Sequence, residues 1–260
     1  MIKKYLEKIY LFLIFILLYA PILTLIVLSF NNSKTRAKWG GFTLKWYSSL
    51  FQNEQIMNAL YTTLIISLLA AVIATVIGTA AAIAIHGMKQ KWRTLYSGLT
   101  NIPMMNADII TGVSLFLLFV SFGISQGFTT VVLAHITFCT PYVVLSVMPR
   151  LKKMNQNVYE AALDLGATPF QALRKVILPE IFPGMISGFI LAFTLSIDDF
   201  AVTIFTIGNQ GLETLSTYIY ADARKGGLTP ELRPLSTIIF VTVLVLLIVI
   251  NKRAERTKND

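Results

Sequence analysis

Residues 155–180 read NQNVYEAALDLGATPFQALRKVILPE, a polar segment set between long apolar runs. Val158, Ala161, Ala162 and Leu165 recur at three- and four-residue intervals, the spacing of one helical face. Gly166 interrupts that face, and Thr168-Pro169 is a helix start with proline at the first helical position, where its missing N–H costs nothing. The segment therefore predicts helix, glycine turn, helix, with Pro179 stopping the second helix. Its charges place the whole stretch, from Arg150 to about Phe182, outside the hydrocarbon of a bilayer.

The flanks are what make a bilayer the relevant solvent. Hydrophobic residues are 55% of the 260 and charged residues only 13%, with mean hydropathy +0.68. Such a chain is neither a soluble domain nor a disordered one. Residues 9–30, IYLFLIFILLYAPILTLIVLSF, hold no charge over 22 positions. At about 1.5 Å per residue they make about 33 Å of helix, enough for a hydrocarbon core of about 30 Å. The basic start, Lys3, Lys4 and Lys8, mimics a secretory signal, but the apolar run is too long and no small-x-small site follows it. An uncleaved first span is expected, followed by spans near 58–85, 99–122, 127–148, 183–207 and 234–250. The expected class is an all-α membrane protein of six transmembrane helices in a single domain, residues 1–260.

The net charge of +9 is read as topology, because little surface remains for nucleic acid. With the N-terminus inside, 15 of the 22 Lys and Arg fall on inner segments, which places both termini and the 150–182 loop in the cytoplasm. The single cysteine, Cys139, excludes a disulfide framework within the chain. Ala70, Ala74, Gly78 and Ala82 repeat every four residues, putting small side chains on one face where another helix can approach. The plainer account is that alanine is common in membrane helices.

Within the loop, Glu160-Ala161-Ala162, Gly166, Val176 and Leu178-Pro179 resemble the cytoplasmic coupling-loop signature of the inner-membrane permeases of ABC importers, with Val176 at the usual isoleucine. SFNNS at 29–33, WGGFTLKWYSSLF at 39–51, the stretch around Pro103 and Asp108, AHITFCTPYVV at 134–144 and LSIDDF at 195–200 are similar to spermidine/putrescine ABC permeases, in particular the second, C-type, membrane subunit. The resemblance implies a type I importer permease fold in a bacterial inner membrane. It also implies four kinds of partner: a pair of ABC ATPase subunits, a second homologous permease, an extracytoplasmic polyamine-binding protein and membrane lipid. Glu160 would meet a basic group on the ATPase, Ala161 and Ala162 would allow close approach, and Gly166 would make the turn. No Gly-x4-Gly-Lys-Ser/Thr sequence is present, so ATP hydrolysis falls to the partner; no cofactor and no enzymatic activity are expected of this chain.

Three acids lie within expected spans: Asp108, Asp198 and Asp199. Each costs about 2.5 to 3.5 kcal/mol at a helix centre, so each should face protein or a water-filled cavity. Adjacent helical residues point about 100° apart, so Asp198 and Asp199 need not both face one path. Two accounts stand at this point. Asp108 and at least one of the pair line a path for a cation, or they cap broken helices, for which Pro103 and the Asn101–Asn106 stretch are a candidate break. Trp46 belongs either to an interfacial aromatic belt or to an outer gate on that path. His135 and Cys139 share a helical face, but two ligands do not make a metal site.

Rival classes are weaker on residues. An intramembrane aspartyl protease needs Gly-x-Gly-Asp, whereas Ser196-Ile197 precedes Asp198. A channel or ion-coupled carrier has no need of a docking loop. A related importer for another small solute, such as iron, stays open as the alternative substrate reading.

Overall fold

The computed structural model describes residues 2–35, 37–227, 229–242 and 244. They are mostly helical: α1 (Ile2–Ser29), α2 (Lys45–Gln52), α3 (Glu54–Gly87), α4 (Gln90–Met105), α5 (Asp108–Ser121), α6 (Phe128–Lys153), α7 (Gln156–Asp164), α8 (Pro169–Ala172), α9 (Leu178–Asp198), α10 (Ala201–Thr206) and α11 (Leu215–Arg224). A further apolar helix, α12, covers Leu232–Thr242. Among the described residues, four helical stretches are long and apolar enough to cross a membrane: Glu7–Ser29, Glu54–Gly87, Phe128–Lys153 and Pro169–Asp198.

Two expected spans are broken. The 99–122 span is two helices, α4 and α5, bent by 102°, and the pair makes a fifth crossing if counted as one. Pro103 stays inside α4, and the break falls after it, where Asn106 (ψ 148°) and Ala107 (ψ 138°) are extended. The 183–207 span is likewise divided, between α9 and α10, at Asp199, whose backbone is extended (ψ 128°). Of the 234–250 span, α12 holds the beginning; residues 243 and 245–250 lie outside the described residues.

Pro179 does not stop the second helix of the 155–180 segment. A π-helical turn, Leu173–Ile177, joins α8 to α9, and Pro179 sits in the first turn of α9. An N-terminal position is where a missing N–H is tolerated, so the chain runs on into the next long helix.

The chain divides into two compact units, residues 1–57 with 219–260, and residues 58–218. In the second, α6 is the hub. Ala70, Ala74 and Ala82 of α3 are fully buried, and a Cβ on Gly78 would stand 2.7 Å from Val143 Cβ and 3.0 Å from the Thr140 carbonyl. A methyl there would force the helices apart, an overpacking cost of about 1 to 3 kcal/mol. The four-residue stripe is thus a packing face for α6. Helix α9 also closes on α6 around Val143: a Cβ on Gly188 would lie 3.2 Å from Val143 Cα, and one on Gly184 would lie 3.1 Å from the Ser146 carbonyl. Ala71, Val143, Val147, Ile181 and Ala192 fill the core between these three helices.

In the first unit the segment after α1 is closed by an antiparallel bridge, Asn31 to Phe42. Asn31 is fully buried; its amide donates to the Lys38 carbonyl (2.9 Å) and its side-chain oxygen accepts from the N–H groups of Ser33 (3.1 Å) and Gly40 (2.8 Å). One asparagine thereby satisfies three backbone groups of the loop beyond the bridge. The Arg233 guanidinium of α12 donates to the carbonyls of Ser33 (3.1 Å) and Lys34 (2.6 Å), tying the same loop to a second helix.

Candidate functional site

The acids of the two broken spans come together. Asp108, in the first turn of α5, and Asp198 and Asp199, at the end of α9, line one cavity of about 200 Å³ with Phe138, Tyr142, Thr194 and Leu195. Phe138 and Tyr142 are one helical turn apart on α6, so both rings reach the same side.

The two neighbouring aspartates have different jobs. The Asp199 side chain is 7% exposed. Its carboxylate accepts from the N–H groups of Val202 (3.2 Å) and Thr203 (2.8 Å) and from the Thr203 hydroxyl (2.8 Å), while its carbonyl accepts from Ser216 Oγ (2.7 Å). It satisfies orphan donors at the start of α10, in the manner of a helix cap. Asp198 and Asp108 are exposed to the cavity side and carry no such duty among these bonds. The capping account thus applies to Asp199, whereas Asp108 and Asp198 are open to the cavity.

The 155–180 segment is a capped helix, a glycine turn and a second short helix. Asn155 caps α7 by accepting from the Asn157 N–H (3.1 Å). At the far end, Gly166 N donates to Leu163 O (2.9 Å) and Ala167 N to Ala162 O (3.0 Å), with Gly166 at φ +85°. This pair of bonds is a Schellman ending, which needs a left-handed residue where Gly166 stands. Thr168 and Gln171 then form a reciprocal capping box for α8. Glu160 and Ala161 are exposed, Ala162 and Val176 half-buried. Leu165 and Phe170 are 89% and 70% exposed, large apolar side chains held out on either side of the turn.

Trp46 lies in the other unit, on α2. Its indole is 5% exposed and donates through Nε1 to the Asn31 carbonyl (2.8 Å), with Lys45 Nζ 5.5 Å from the ring centroid. The ring therefore braces the Asn31 loop. Cys139 is buried against the Ala192 carbonyl (3.4 Å), and no group of three or more metal-ligating acids, histidines or cysteines occurs among the described residues.

Residues 74–252 match the family of binding-protein-dependent transport system inner membrane components. The spermidine/putrescine transport system permease PotC of Escherichia coli K12 is 42% identical over 90% of this chain and 88% of that one. PotC of Haemophilus influenzae is 39% identical over the whole of both chains. The chain belongs to this family of permeases, among its spermidine/putrescine members. The fold agrees: a bacterial ABC transporter that imports the acidic polysaccharide alginate superposes with TM-score 0.74 at 13% identity, covering 96% of each chain. The permease is a multi-pass inner-membrane transport component rather than an enzyme.

Sequence reading of the permease gave no role to Phe138, Tyr142 or Phe170, and placed Leu165 only on an apolar helical face. Phe138 and Tyr142 line the cavity, and Leu165 and Phe170 flank the loop's turn. The i, i+4 spacing of Phe138 and Tyr142 was available as a signal; that their face turns toward Asp108 and Asp198 depends on how α5 and α9 break.

Proposed function

We propose that this permease moves polyamines into the cytoplasm, and that Asp108 and Asp198 are stations on their path. The observation that carries this reading is the meeting of these two exposed carboxylates with the rings of Phe138 and Tyr142 around one cavity. Carboxylates attract an ammonium group, and aromatic faces add about 0.5 to 2 kcal/mol each to a cation that sheds water. At about 200 Å³ the cavity is small for a tight ligand site. A passing chain of ammonium groups is better served by weak, repeated stations, which let it leave as readily as it enters. Asp199 serves the path indirectly as a cap, and Trp46 indirectly as the brace of the outer loop.

The exposed surface of the 155–180 segment suits docking to an ATPase subunit, with Glu160 as the charged anchor, Ala161 and Ala162 as the close-approach face and Gly166 as the turn. Val176, Leu178 and Pro179 carry the movement into α9 through the π-turn. A second homologous permease completes the path, two ATPase copies supply energy, and an extracytoplasmic binding protein delivers substrate. The chain is one permease domain with six crossings and both termini in the cytoplasm, supported by the 15 of 22 basic residues on the inner segments. A reporter fused after Asp260 is expected to be active only on the cytoplasmic side; activity on the outer side would overturn that topology.

The deciding experiment is ATP-dependent uptake by the reconstituted complex, offered labelled spermidine, putrescine, iron and sulfate in turn. Uptake of a polyamine and not of sulfate is the expected result. Iron or sulfate uptake without polyamine uptake would overturn the assignment.

A further inference from the structure

His135 of α6 is 1% exposed and stands between the two sides of the break at Asp199. Its Nδ1 lies 2.6 Å from Ser196 Oγ on α9, and its Nε2 lies 2.9 Å from Thr203 Oγ1 on α10 and 3.6 Å from Asp199 Oδ2. Ser196 and Thr203 are as deeply buried, at 2% and 0%. Proton counting fixes the direction of these bonds. The Thr203 hydroxyl has one proton, and the Asp199 carboxylate 2.8 Å away can only accept it. The Thr203 oxygen must then accept from His135 Nε2–H, which leaves Nδ1 of the neutral ring to accept from the Ser196 hydroxyl. Donation therefore runs one way, from Ser196 through His135 and Thr203 to Asp199, and every buried member is paired.

A satisfied buried chain of this kind is worth more than its separate bonds and holds its members in one arrangement. It spans the point where α9 ends and α10 begins. We propose that His135 is a positioning residue of the transport path: by holding Ser196 and Thr203 on the two sides of the break, it keeps Asp199 turned inward as a cap and Asp198 turned into the cavity. This role rests on Asp198 being a path carboxylate, as read above. Without the imidazole, two buried hydroxyls lose partners, and α9 is free to continue through Asp199, which swings Asp198 to another face.

The test uses the assembled transporter, with Cys139→Ala removing the only cysteine of this chain. Asp198→Cys is then introduced, and the rate of its reaction with a small cationic thiol reagent is read on this chain, with and without spermidine. With His135 present, labelling slowed by spermidine is expected. Adding His135→Ala should lower that labelling rate by about tenfold, the scale of one lost buried hydrogen bond. Where His135→Ala reduces the amount of assembled transporter, the isosteric Thr203→Val carries the decision and the same fall is expected. Labelling at the parent rate in the variant that assembles would overturn the positioning role while leaving the path intact. If the thiol introduced by Asp198→Cys is not labelled with His135 in place, the path reading is overturned instead, and the role of His135 with it.

Discussion

Replacing Asp198 with asparagine is expected to reduce polyamine uptake by about 10- to 100-fold, and Asp108→Asn by a similar factor, at normal abundance of the chain in the membrane. The magnitude follows from charge. Two unit charges about 4 Å apart interact by about 4 kcal/mol at an effective dielectric of about 20, and desolvation of the ammonium group takes back a part. A net loss of about 1.4 to 2.8 kcal/mol corresponds to that factor. Asparagine preserves volume and most hydrogen bonding, so sign is tested rather than size. Glutamate keeps the charge and shifts it by a methylene, and Asp198→Glu and Asp108→Glu should retain more uptake than the asparagine forms. The measurement is initial uptake of labelled spermidine and putrescine, normalised to chain in the membrane. Unchanged uptake in both Asp108→Asn and Asp198→Asn would remove both residues from the path.

Asp199 provides the internal contrast. Its carboxylate is committed to two backbone N–H groups and the Thr203 hydroxyl. Loss of a cap costs about 0.5 to 2 kcal/mol, and this cost falls on the folded chain rather than on a passing cation. Sequence could not divide Asp198 from Asp199, because the division depends on the break that places one at the end of α9 and the other ahead of α10. That break is held by residues distant in sequence. Ser216 bonds the Asp199 carbonyl and His135 reaches Thr203, and neither contact has a local signature.

The parts of the fold that were legible are those set by local chemistry. Uncharged runs long enough for a bilayer gave α1 and α3, and the stripe at Ala70, Ala74, Gly78 and Ala82 gave a close-packing face whose partner, α6, only the structure names. Thr168-Pro169 marked the start of α8 correctly because capping is a contest among neighbouring residues. Pro179 was misread for the complementary reason. A proline forbids helix only where its N–H is required, and the π-turn at Leu173–Ile177 places Pro179 in a first turn where it is not. The break expected around Pro103 and Asn101–Asn106 is present, at the end of that stretch, Asn106 and Ala107, rather than at the proline itself.

The second large effect is expected at the turn of the 155–180 segment. Gly166 has φ +85°, and nothing lies within 4 Å of where its Cβ would be. A substitution there meets no clash, so its whole consequence is backbone strain, about 1 to 2 kcal/mol for an ordinary L-residue and more for a β-branched one. The two bonds of the Schellman ending share that glycine, and the strain is relieved by opening them, which turns α8, Leu165 and Phe170 away from the surface that α7 presents. Gly166→Val should abolish uptake to below about a tenth of normal while the chain still inserts, since the core around α6 is untouched. Asparagine tolerates a left-handed backbone better than alanine or valine, so uptake should fall in the order Gly, Asn, Ala, Val. Glu160→Ala removes an exposed carboxylate from the adjoining helix, and its loss should lower transport without lowering membrane abundance. ATP hydrolysis stimulated by the loaded binding protein should fall with uptake in both variants, because the defect lies in transmission rather than in the path. Uptake by Gly166→Val equal to that of Gly166, with the ATPase still bound, would show that the turn does not couple hydrolysis to the membrane helices.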